Sequence, residues 1–301
     1  MIHVAPSSQR TISPLGALWR ALLVGVAYLV ALTLGGLVTS VLGLANPPIA
    51  ESMNPTQALI SSFAAGALIA LALGPLAIRL NVPLWNRILV LASVTFVVGS
   101  LINLIEALYF TTMFETGIAS ALIGAAIGYL GLAAALAYLF PPELPIRRMR
   151  DATREIWQQR TALNWLGRIV LAALAYVPIY LGIGMLIAPI VTPYYTNPAL
   201  GLGLRIPGFD VILPLEVVRS LLMVLALFPI VCLWRESRLG LALMLGWTVA
   251  ILGGIVPMLS TSFFPPILRI THGIEITVDS FLLGFMLAWL LGSGPWRMRR
   301  G

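Results

Sequence analysis

ALLVGVAYLVALTLGGLVTSVLGLANPPIA, residues 21–50, carries no charged side chain. Crossing the hydrocarbon core of a bilayer takes about 20 residues of helix. The stretch follows Arg10 and Arg20 as the core of a secretory signal would, but such a core runs only about 7–15 residues. It is therefore read as a retained membrane span. Comparable runs recur along the chain, and spans are predicted over residues 17–44, 56–79, 86–111, 116–140, 166–190, 211–234, 239–262 and 268–293.

Composition agrees with that reading. The chain of 301 residues is 59% hydrophobic and 10% charged, against about 25% charged in an ordinary soluble domain. A soluble globular fold is excluded. The runs are continuously apolar, without the alternation of period two that a membrane β-barrel needs. The expected fold class is all-α: a polytopic integral membrane protein of about eight transmembrane helices.

The net charge of +7 comes from arginine, because the chain contains no lysine. The arginines lie between the hydrophobic runs rather than in a patch, so no nucleic-acid partner is expected. Eight spans put both termini on one side. Arg10, Arg20, Arg79, Arg87, Arg147, Arg148, Arg150, Arg154, Arg160, Arg168, Arg235, Arg238, Arg297, Arg299 and Arg300 share that side, 15 of the 18. The positive-inside rule then predicts a protein of the cell (inner or plasma) membrane with both termini cytoplasmic. Trp19, Trp85, Trp165, Trp234 and Trp296 fall at the same ends of their spans, as an interfacial aromatic belt would.

Two connections stand out. Residues 141–165 open with Pro141-Pro142 and place Met149, Ala152, Ile156 and Trp157 on one helical face. That pattern predicts an amphipathic helix at the lipid headgroups. Residues 189–214, rich in proline and containing Tyr194-Tyr195, read as an ordered loop over the opposite end of the bundle.

The halves resemble each other. An offset of 148 residues aligns Arg20 with Arg168, Tyr28 with Tyr176 and Gly36 with Gly184. An offset of 154 aligns Pro75 with Pro229, and one of 160 aligns Glu115 with Glu275, Ser120 with Ser280 and Gly124 with Gly284. Four spans per copy give both copies the same orientation, so the expectation is two parallel four-helix repeats. The predicted organisation is a tail at 1–16, repeat one at 17–140, the linker at 141–165, repeat two at 166–293 and a basic tail at 294–301.

Ionisable groups at membrane depth are costly and face a protein interior or a watery cavity. Arg205, Arg219 and Arg269 lie on the side away from the termini, with Glu51, Glu106, Glu115, Asp210, Glu216, Glu275 and Asp279. One reading makes them a network of ion pairs and helix caps that holds the spans in register. The other makes them a site. At 100° per residue His272, Glu275 and Asp279 fall within about 60° of one another on one helical face. They are the candidate catalytic residues, with His272 as acid or base and Glu275 or Asp279 orienting it. Glu275 has a counterpart in Glu115, which favours a structural cap at a helix start. Arg219, Arg269, Glu216, Glu106 and Glu115 are the candidate substrate-binding residues. Arg219 and Arg269 suit an anionic headgroup, and Glu106 suits a proton or cation path.

His272, Glu275 and Asp279 with Glu115 or Glu106 form an oxygen-rich set that a Mg, Mn or Ca ion could use, but the chain has two histidines, His3 among them, and no His-Glu-x-x-His pattern, so no metal ligands are assigned. No cofactor is implied. Cys232, the single cysteine, lies within a span and reads as a small buried apolar residue. The expected partners are membrane lipids and an anionic headgroup or ion. Three functions fit: transport or lipid and small-molecule handling first, then a hydrolase-like intramembrane enzyme, then a non-catalytic subunit of a membrane complex.

Overall fold

The computed structural model describes residues 13–48, 54–114, 116–261, 263–293 and 295–296. Eight helices are long and apolar enough to cross a membrane: α1 (Pro14–Val41), α2 (Pro55–Arg79), α3 (Leu84–Phe110), α4 (Ile118–Leu139), α6 (Ala162–Thr196), α7 (Phe209–Leu233), α8 (Arg238–Ser260) and α9 (Pro266–Leu290). A short helix, α5 (Met149–Trp157), lies in the linker. The chain is a multi-pass helical membrane protein.

Helix starts follow local chemistry. Ser13, Asn54, Thr161 and Ser237 cap α1, α2, α6 and α8, each accepting a backbone N–H of the first turn on its side-chain oxygen. Proline follows directly at Pro14 and Pro55, where no N–H is required.

Each half has the same neighbour pattern. In the first, α1 packs on α2 and α4, and α3 on α4; in the second, α6 packs on α7 and α9, and α8 on α9. The halves meet where α3 touches α7, α2 touches α8, and α3 touches α8. The α3–α8 meeting point is unusual. Each helix widens there into a π-helical turn, Val97–Leu101 in α3 and Ala250–Ile255 in α8.

With lipid as apolar as leucine, close approach rather than hydrophobic burial holds such helices together. A Cβ on Gly35 of α1 would lie 2.8 Å from the Gly124 carbonyl oxygen of α4. A Cβ on Gly284 of α9 would lie 2.4 Å from the Ala242 oxygen of α8. Ile69, Leu73, Leu91, Leu136, Leu227 and Ile230 fill the centre without reaching the surface.

The connections close both ends. At the arginine-rich end the Arg147 amide donates to the Asn81 carbonyl, and Arg79 pairs with Glu236 at 2.7 Å. At the opposite end Arg205 covers the last turn of α3, giving Nε to the Tyr109 oxygen and Nη2 to the Leu108 oxygen. One arginine of the acidic end is thus committed to a helix terminus.

Three expectations change. The fifth span runs to Thr196, past Pro189 and Pro193, so the loop shrinks to residues 197–208 and Tyr194-Tyr195 is helical. Neighbouring helices allow proline within a membrane helix, and here the extension packs along α9. The apolar face of α5 turns inward, burying Ala152 and Ile156 against α7 instead of lying open to headgroups. The tryptophans divide: Trp19 is 61% exposed, as a belt residue should be, but Trp165 is only 1% exposed. Trp165 stacks edge-on with Trp157 and Phe228, and Arg160 lies over its ring.

Candidate functional site

On α7, Glu216 and Arg219 are three residues apart and therefore on adjacent faces. Their side chains meet, and Arg219 also reaches Glu106 of α3, Nη2 to Oε2 at 2.5 Å. Glu216 is 0% exposed, and the Arg219 guanidinium lies 5.8 Å from the ring centre of Tyr180 on α6. One arginine thus bridges two carboxylates and two halves of the bundle.

α9 supplies the second cluster. His272 Nδ1 stands 2.7 Å from Glu275 Oε2, and the Tyr195 hydroxyl of α6 stands 3.2 Å from His272 Nε2. All three groups are satisfied if the phenol donates to Nε2 and Nδ1–H donates to the carboxylate. One turn further, Asp279 is 2% exposed, and its Oδ1 has no hydrogen-bond partner among the described residues.

Both clusters border a cavity of about 280 Å³ between α3, α6, α7 and α9. Its polar lining is Asn103, Glu106, Tyr176, Tyr180, Thr192, Tyr195, Arg219, His272, Glu275 and Asp279; aliphatic and aromatic side chains make the rest. Gly184 lies opposite Glu275, where a Cβ would come 3.5 Å from Oε1. A second cavity of about 390 Å³ lies between the halves, lined by Tyr28, Ser62, Ala65 and Tyr129 from the first and by Val256, Pro257, Ser260 and Phe264 from the second. Glu106, Tyr195 and His272 border both cavities.

The structure therefore gathers Glu106, Glu216, Arg219, His272, Glu275 and Asp279. Arg269 is not with them: it lines neither cavity. Glu115 lies outside the described residues. Glu275 is not a cap, since α9 begins at Pro266 and Glu275 stands more than two turns inside it, bound to His272. Arg219 gives Nη1 and Nη2 each to a carboxylate, while its Nε has no hydrogen-bond partner among the described residues. Among the described residues no group of three His, Cys, Asp or Glu is placed to hold a metal ion.

Tyr180, Tyr176 and Gly184 escaped the sequence reading as site residues. Their spacing of four along one span is a signal that was present, because it puts them in a single stripe. Asn103 offered no such pattern.

No protein-family model, curated protein or solved structure matches the chain.

Proposed function

We propose that this protein is a membrane carrier that takes a small molecule into the cavity between α3, α6, α7 and α9. The observation that carries the reading is the cavity itself: about 280 Å³ at membrane depth, apolar in most of its lining, with ionisable groups of three helices converging on it. That combination is typical of small-molecule sites, and ionisable groups at such depth mark substrate and ion pathways. Further support comes from the π-helical turns of α3 and α8 beside it, a feature common at functional sites, and from Pro178, Pro189 and Pro193 in α6. In this reading the two halves are copies of one four-helix unit, supported by their shared neighbour pattern. The membrane is the cell membrane and both termini are cytoplasmic, which rests on the arginine distribution.

The test is uptake into vesicles reconstituted with the purified protein, using radiolabelled tetraethylammonium, glutamate, lactate and glucose. Gly184→Leu, which fills the cavity wall opposite Glu275, is the comparison. Uptake of at least one solute that Gly184→Leu abolishes is expected. If nothing moves, or the variant moves it equally well, the carrier reading is lost.

One observation favours an intramembrane enzyme instead: the chain of bonds from Tyr195 through His272 to Glu275 is an acid–base arrangement. That reading requires covalent turnover in detergent which Tyr195→Phe lowers by about 10²-fold or more.

A further inference from the structure

We infer that the occupant of this cavity is a small organic cation, a protonated or quaternary amine, with its charge against the Asp279 carboxylate. The inference rests on the carrier reading of the same cavity and names its substrate class.

Asp279 supplies the first reason. It lines the cavity, is 2% exposed, and leaves Oδ1 without a partner among the described residues. Buried polar atoms are nearly always partnered, and an ion taken out of water costs several kcal/mol unless an opposite charge accompanies it. The basic groups nearby are already engaged. Arg219 gives its terminal nitrogens to Glu216 and Glu106. His272 uses one ring nitrogen on Glu275 and the other on Tyr195. Neither bonds to Asp279 Oδ1.

The balance of charge gives the sign. Glu106, Glu275 and Asp279 line the cavity, with Arg219 and His272 as the basic side chains. An anion would meet three carboxylates, with both terminal nitrogens of Arg219 already given to carboxylates. The walls give the class. Tyrosine faces attract cations, and the Tyr180 ring already receives a guanidinium. The volume exceeds what a bare metal ion fills, and the described carboxylates do not converge as metal ligands.

The probe is radiolabelled benzyltrimethylammonium, bound to the purified full-length protein in detergent, with gel filtration to confirm that each variant is folded. Saturable binding is expected, at least tenfold weaker in Asp279→Asn and in Gly184→Leu, restored largely in Asp279→Glu, and not competed by benzylsulfonate. Equal binding by Asp279→Asn overturns the inference, as does an Asp279→Glu protein that fails like the asparagine variant, or saturable benzylsulfonate binding in place of the cation. If the cation does not bind while Gly184-sensitive uptake of glutamate, lactate or glucose persists, the cation assignment falls and the carrier reading stands. If it binds through Asp279 and no solute crosses the vesicles, the site stands and transport falls.

Discussion

Arg219 of α7 holds Glu106 of α3 at 2.5 Å across the junction between the two halves of the bundle. Because Arg219 also holds the fully buried Glu216, removing it leaves two carboxylates without their counter-charge, one of them fully buried. Arg219→Met is expected to lower stability by about 3–5 kcal/mol, read as the thermal unfolding of the purified protein in detergent. Adding Glu216→Gln to it should recover part of the loss, since a neutral amide no longer needs the charge. A double variant no better than Arg219→Met alone would show that the pair is not coupled.

Gly284 and Gly124 align at an offset of 160 residues, yet their surroundings differ. A Cβ on Gly284 would strike the backbone of α8, whereas a Cβ on Gly124 meets nothing within 4 Å. Gly284→Ala should therefore destabilise by about 1–3 kcal/mol, the usual cost of overpacking. Gly124→Ala should leave the unfolding midpoint unchanged or slightly raised. Equal effects would mean that α8 and α9 yield freely at their crossing.

Tyr195 covers one ring nitrogen of His272. Diethylpyrocarbonate attacks an unprotonated imidazole nitrogen, so freeing Nε2 exposes it to the reagent. In Tyr195→Phe the modification of His272, followed by mass spectrometry and scaled to added N-acetylhistidine, should run several-fold faster than in the unaltered protein. An unchanged rate would mean that the phenol does not occupy that nitrogen in the membrane protein.

Cys232 is the chain's single cysteine and is buried, so introduced thiols report without background. With the termini cytoplasmic, Ala199→Cys should react with a membrane-impermeant maleimide on intact cells. Gln159→Cys should react only after permeabilisation. The reverse pattern would invert the orientation read from the arginines.

The eight crossings were legible in the sequence because each is announced by a long uncharged run, a signal that owes nothing to tertiary context. Boundaries were less so where proline intervened. Pro189 and Pro193 read as a stop, but the helix runs on to Thr196, with Tyr195 meeting His272 of α9. Glu106, Glu216, Arg219, His272, Glu275 and Asp279 were legible as candidates because charge within apolar spans is rare. Their partners were not. That Arg219 turns to Glu106 rather than outward depends on the packing of α3 against α7, which no spacing encodes. Arg269 shows the converse, for a charge close to the cluster in sequence lines neither cavity. Trp165 and Trp19 look alike as span-end tryptophans, and only the shape of the bundle sends one inward.

At its far end α9 is fastened several times over. Arg168 Nη1 donates to the Leu290 carbonyl at 2.7 Å, and Arg160 reaches the Leu291 and Gly292 carbonyls at 3.2 and 3.4 Å. The Arg238 amide holds Pro295 at 2.7 Å. At the near end the helix begins on Pro265-Pro266 with no side-chain cap. A beam clamped at one end sways most at its tip. Any bending of α9 about that anchored end displaces His272 and Glu275 more than Asp279.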